Sequence, residues 1–105
     1  MEKHYETLLE GIHNKKILIL YFMSKEKGLI TRRCIPFDFG ISRRYKDDLD
    51  RFHFYDLDSP DGNHNLSILP EQINSLTITN ENFTPKDYVS WKPNWIIKRD
   101  WGIFS

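Results

Sequence analysis

The chain has 105 residues, a length that predicts one domain with a modest core. Lys and Arg number 15, Asp and Glu number 15, and the formal net charge is zero. That balance argues against tight non-specific binding to nucleic acid, which relies on a basic excess, and confines any basic site to a local patch.

Cys34 is the only cysteine, so neither an intramolecular disulfide nor a cysteine-based metal site can form. Three Trp, five Tyr and seven Phe stand against no Ala and a single Val, Val89. The expected core is therefore aromatic, filled out by Ile and Leu. The N-terminal run MEKHYETLLEGIHNKK lacks the pattern of a signal peptide, and no apolar run is long enough to span a bilayer. A cytoplasmic protein is the expectation.

Tyr5, Leu8, Leu9 and Ile12 fall at helical spacing and predict an amphipathic helix. Gly11 weakens its last turn, and His13 to Lys16 end it. Ile17 to Met23 is apolar on both parities, which predicts a strand buried on both faces, one toward a barrel interior and one toward the helix. Ser24 to Gly28 is a polar turn, and Leu29 to Ile35 returns as the second strand of a hairpin, stopped by Pro36. Cys34 lies inside that strand and is expected to be buried and inert.

The charged loop ISRRYKDDLD leads into a strand from Arg51 to Leu57. Ser59-Pro60-Asp61-Gly62 has the composition of a type I turn followed by a left-handed glycine. A three-residue loop there pairs Ser59 with Asn63, Phe54 with Ile68 and Asp56 with Leu66. Phe52, Phe54, Leu66 and Ile68 then share one face, and alternation turns Arg51, His53 and Tyr55 to the other. Gln72 to Thr79 predicts another strand.

Thr84, Pro85 and Asp87 read as the N-cap, first position and capping acid of a helix that Pro93 ends, with Phe83 and Tyr88 as its hydrophobic staple. The tail from Trp91 to Trp101 is too aromatic for a free linker and is expected to pack on the barrel or on a second copy. A helix, five short strands and a capped helix point to a mostly β, α+β domain. The expected form is a five-stranded SH3-like or Sm-like barrel with an N-terminal helix and a short C-terminal helix; a ferredoxin-like sheet is the alternative.

The order of segments resembles a WYL domain, the Sm-like barrel of bacterial transcription regulators, from about residue 5 to residue 88. The likeness rests on LLEGIHNKKILILYF, on TRRCIP with Arg32, Cys34 and Pro36 in the family's places, and on RFHFYDLDSPDGNHNLSILPEQINSLTITNENF. Where the family has Trp-Tyr-Leu this chain has Phe52-His53-Phe54. HNLSILPEQI offers only His64 where the family is basic, and these 105 residues hold no segment that reads as the family's helix-turn-helix partner. The resemblance implies a regulatory, ligand-sensing role toward nucleotides or nucleic acid.

Four chemistries come into question. DLDSPDG is similar to a calcium loop, but Pro60 takes one ligand place and Ser67 stands where the bidentate Glu belongs, so no metal is expected. Asp47, Asp48 and Asp50 are flanked by Arg and Lys, Cys34 has no base beside it, and no glycine-rich phosphate loop exists, so neither an enzyme nor a cofactor is expected. Arg32, Arg43, Arg44, Lys46, Arg51, His53 and Tyr55 supply the forked donors and rings that bind a phosphate-bearing ligand, a nucleotide or single-stranded nucleic acid. Arg32 enters that set through the family resemblance. Trp91, Trp95 and Trp101 are the candidates for a homodimer or protein-partner interface.

Overall fold

The apolar stripe near the N-terminus is a helix. In the computed structural model, which describes residues 3–60, 62 and 64–105, α1 runs Tyr5–Asn14. Leu8 and Ile12 are fully buried, with Tyr5 and Leu9 packed beside them. α1 stops where Lys15 turns left-handed (φ 54°) and its N–H donates to the Gly11 carbonyl. That bond closes the last turn. Gly11 also has a packing role: a Cβ there would lie 2.9 Å from Leu18 Cδ2 and 3.1 Å from Pro36 Cγ, so the helix backbone rests directly on the sheet.

Five antiparallel strands follow: β1 Lys16–Ser24, β2 Gly28–Ile41, β3 Asp50–Asp56, β4 His64–Ile68 and β5 Ile73–Asn82. Their order in the sheet is β4-β3-β2-β1-β5. Among the described residues β4 and β5 do not pair with each other, so the sheet stays open between them. The fold is mostly β, α+β, with one α-helix among the described residues.

Several expectations need correction. β1 is not buried on both faces throughout: Tyr21 and Met23 are exposed, while Leu18, Leu20 and Phe22 are buried. α1 covers the Leu18 side, the face that alternation also gives to Leu20 and Phe22. β2 does not stop at Pro36. Its pairing with β1 ends at Leu18↔Cys34, and beyond that β2 pairs with β3 alone. A proline there costs no bond to β1. The register with β3 then shifts between Pro36 and Asp38, a bulge that lets the strand run on.

Phe52, Phe54, Leu66 and Ile68 do share one face, but two residues out of the expected register. Phe54 lies opposite Leu66, Phe52 opposite Ile68 and Asp56 opposite His64. The connection is longer than a three-residue loop. The expected Ser59–Asn63 pair itself lies outside the described residues, as do Asp61 and Asn63. A shift of two keeps parity, which is why the apolar face survives the error.

The C-terminal helix is also corrected. Pro85–Asp87 form a single 3-10 turn, and the Thr84 side chain makes no capping bond. Val89 is buried and the neighbouring Tyr88 packs against Tyr55. Consecutive side chains held by the domain leave no helical stripe to propagate. Phe83 meets Trp101.

The tail packs on its own domain. Trp101 is 3% exposed and its Nε1–H donates to the Ile12 carbonyl (2.8 Å), tying the tail to α1. Phe37 gathers Tyr55, Trp91 and Trp95 around it. The Asp38 carboxylate accepts from the Ile96 and Ile97 N–H groups (2.8 and 2.9 Å) and lies 3.5 Å from Arg99 Nη2. The Arg99 guanidinium stands 4.1 Å from the Trp95 ring centre and 4.5 Å from that of Trp101. Burial holds Arg99 down to about 10, with Asp38 partly offsetting that loss. No described helix is long and apolar enough to cross a membrane.

Candidate ligand groove

The loop between β2 and β3 is shaped by its own polar side chains. Ser42 Oγ accepts from the Arg44 N–H, and Asp47 Oδ1 accepts from the Leu49 N–H. Such bonds stabilise turns against extended backbone. Lys46 and Asp48 adopt left-handed conformations (φ 53° and 60°), an uncommon state for non-glycine residues. The result aims Arg44 and Tyr45 toward the sheet, while Arg43 stays in solvent.

There they border a groove of about 320 Å³. Its floor is apolar, from Phe22, Ile30, Leu66 and Ile68. The loop supplies one end, β3 supplies Arg51 and Asp56, β2 supplies Arg32, and the β1–β2 turn supplies Lys25, Glu26 and Lys27. Three of the seven proposed ligand residues therefore meet: Arg32, Arg44 and Arg51. The other four, Arg43, Lys46, His53 and Tyr55, do not line the groove.

The cations differ in how far they are neutralised. Arg51 is 4% exposed, and its two terminal nitrogens donate to the two oxygens of Asp47, each at 2.9 Å. Its guanidinium lies 4.0 Å from the Tyr45 ring centre. This fork holds the Asp47 carboxyl down to about 2. Arg32 Nε lies 3.3 Å from Asp56 Oδ2, close enough to pair charges but misaligned for a hydrogen bond; Nη1 donates to the Asp58 carbonyl. Among the described residues Arg44, Lys25 and Lys27 form no ion pair, and of the carboxylates only Glu26 and Asp56 border the groove.

His53 and Tyr55 are held elsewhere. His53 Nε2 lies 2.8 Å from the Gly40 carbonyl and Nδ1 lies 2.9 Å from Ser67 Oγ. A carbonyl only accepts, so Nε2 carries a proton, while Nδ1 meets a hydroxyl that can donate or accept. The ring ties β2, β3 and β4 together. Tyr55 packs between Phe37 and Tyr88 beneath the tail. Trp101 is internal, Trp95 is mostly covered and donates to the Phe104 carbonyl, and Trp91 is 44% exposed.

Sequence reading missed Lys25, Lys27 and Tyr45 as groove residues. SKEKG reads only as a polar turn, and nothing local says that its tip faces β4. A second, wider groove of about 550 Å³ is lined by Asp48, Asp50 and Glu71 with Lys3 and His4. It lacks the arginines, and no described group of His, Cys, Asp or Glu is placed to hold a metal.

Fold and groove together define a small mostly β domain with a basic, aromatic-rimmed cleft on a neutral body. The chain matches no family model, no curated protein and no solved structure.

Proposed function

We propose that this domain is a non-enzymatic regulatory module that binds a phosphate-bearing ligand, a nucleotide or single-stranded nucleic acid, in the groove. The carrying observation is the convergence of Arg32, Arg44, Arg51, Lys25 and Lys27 from four chain segments on a molecule of zero net charge. Guanidinium forks suit phosphate oxygens, and Tyr45 with the apolar floor offers a base a surface to stack on. The WYL-like order of segments supports the same reading. So does the strand order β4-β3-β2-β1-β5, with the 3-10 turn Pro70–Gln72 carrying the chain from one sheet edge to the other. On this reading the sheet is a divergent, incompletely paired SH3-like or Sm-like barrel.

The test is a titration of nucleotides and single-stranded oligonucleotides against wild type and Arg44→Ala/Lys27→Ala at low and high salt. Binding weakens as salt rises and is lost in the double variant. Equal binding by both proteins, or none at low salt, rejects the proposal.

A second reading rests on the tail. Trp91, Ile96 and Ile103 are 44%, 62% and 88% exposed on one aromatic segment. Exposed apolar clusters mark partner surfaces. This reading is a protein-interaction or homodimer module without a small ligand. Sedimentation of wild type against Trp91→Ala separates it from the first.

A further inference from the structure

Resting on the phosphate reading of the groove, we infer that Asp47 is a built-in competitor for the ligand, and that the ligand is a mononucleotide-sized molecule whose terminal phosphate displaces the Asp47 carboxylate from Arg51. The observation is the geometry of the pair at the edge of the groove, where Arg51 is a lining residue and Asp47 is not. Arg51 is almost wholly buried, yet both of its forked nitrogens are spent at 2.9 Å on a side chain that is itself 36% exposed. A carboxylate and a terminal phosphate present the same two-oxygen edge to a guanidinium. Arg44, next along the rim and unpaired among the described residues, is placed to take a further phosphate oxygen.

The loop is built to let go. Asp47 stands between the two left-handed residues Lys46 and Asp48, and Asp47 Oδ1 also accepts from the Leu49 N–H. Left-handed backbone at non-glycine residues costs free energy and persists only when contacts enforce it. The fork to Arg51 is one of the contacts that hold this loop, beside the Ser42 and Leu49 bonds, and it is the one a phosphate would replace. Asp47 is exposed enough to be rehydrated when it leaves, whereas the buried Arg51 is not, so exchange of anions is favoured over departure of the cation.

Size narrows the ligand. At about 320 Å³ the groove lies at the small end of ligand sites. A strand-tracking site for single-stranded nucleic acid spans roughly 4–16 nucleotides in an OB-fold. One nucleotide fits the cleft, with its base over the apolar floor and its phosphate at the Arg44–Arg51 end.

Calorimetric titration with nucleoside 5′-monophosphates, the matching nucleosides and an oligonucleotide lacking terminal phosphates tests the inference. The proteins are wild type, Asp47→Asn, Asp48→Asn and Arg44→Ala, each checked for an unchanged melt. Asp47→Asn is expected to bind the monophosphates roughly tenfold more tightly, the effect of weakening one charge-assisted competitor. The nucleosides gain nothing. Asp48→Asn makes the same change in net charge but does not touch Arg51, and it stays within about twofold of wild type. Equal tightening by Asp47→Asn and Asp48→Asn would reduce the effect to bulk charge and overturn the inference. Wild-type binding that Arg44→Ala abolishes but Asp47→Asn leaves unchanged would overturn it while leaving the phosphate reading intact. Preference for the oligonucleotide over the monophosphate overturns the size assignment. No binding by any protein rejects the phosphate reading itself.

Discussion

Replacing Asp38 by Asn removes one charge and changes almost nothing in shape. Its carboxylate receives two backbone N–H groups at 2.8 and 2.9 Å and faces the Arg99 guanidinium at 3.5 Å. Asp38 is 7% exposed, and the Arg99 side chain has no exposed surface. In Asp38→Asn the amide accepts one N–H and turns a donor toward the other, while Arg99 is left buried without a counter-charge. Breaking a buried pair from one side costs about 3–5 kcal/mol. With a urea m-value of about 2 kcal/mol/M for a small domain, the midpoint should fall by roughly 1.5–2.5 M. Unfolding followed by tryptophan fluorescence reads this directly, because Trp95 and Trp101 flank Arg99. Asp38→Asn/Arg99→Met should recover much of the loss, since an apolar residue tolerates burial without a partner. Arg99 Nη1, which has no hydrogen-bond partner among the described residues, would no longer need one. A midpoint shift below about 0.5 M, or no recovery in the double variant, would refute the clasp as a stabilising device.

Two further outcomes follow from ionisation. The Arg51 fork lowers the Asp47 carboxyl from 3.8 to about 2, so the loop contact is complete above 3.8 and is lost only as pH falls through about 2; an NMR titration of Asp47 should give the low midpoint in wild type and an ordinary one in Arg51→Gln. Burial first, then the Asp56 and Asp58 charges, push the Cys34 thiol far up, so a thiol reagent should label it only on unfolding, and labelling of the native chain at the rate of a free cysteine would contradict its placement.

Much of the fold was legible because the pattern that specifies it is short-range. Leu8 and Ile12 are buried by helical period, and Phe52 and Phe54 by strand alternation. The errors arose where a distant partner decides. Pro36 reads as a stop, but it sits where β2 has already parted from β1. Thr84-Pro85 reads as a helix start, but the sheet claims Tyr88 and Val89 one after the other. In the groove, Arg44 and Arg51 were within reach because they flank one loop. Lys25 and Lys27 were not, because only the pairing of β1 with β2 and the curl of the sheet bring their turn to the rim. His53 and Tyr55 read as ligand residues by the chemistry of their side chains, yet Gly40, Ser67, Phe37 and Tyr88 engage them in the fold.

The bond from Trp101 to the Ile12 carbonyl has a consequence for synthesis. It joins positions 89 residues apart. On the ribosome, α1 and the β1–β2 hairpin emerge ahead of the tail and can begin to associate before it. The layer over Phe37 and Phe83 is completed only after residue 101 has emerged. Until then the nascent chain carries an uncovered aromatic surface, and such surface recruits chaperones or neighbouring chains. Slow translation through the codons for residues 91–101 should therefore lower the yield of folded protein more than an equal delay in the loop at residues 42–49.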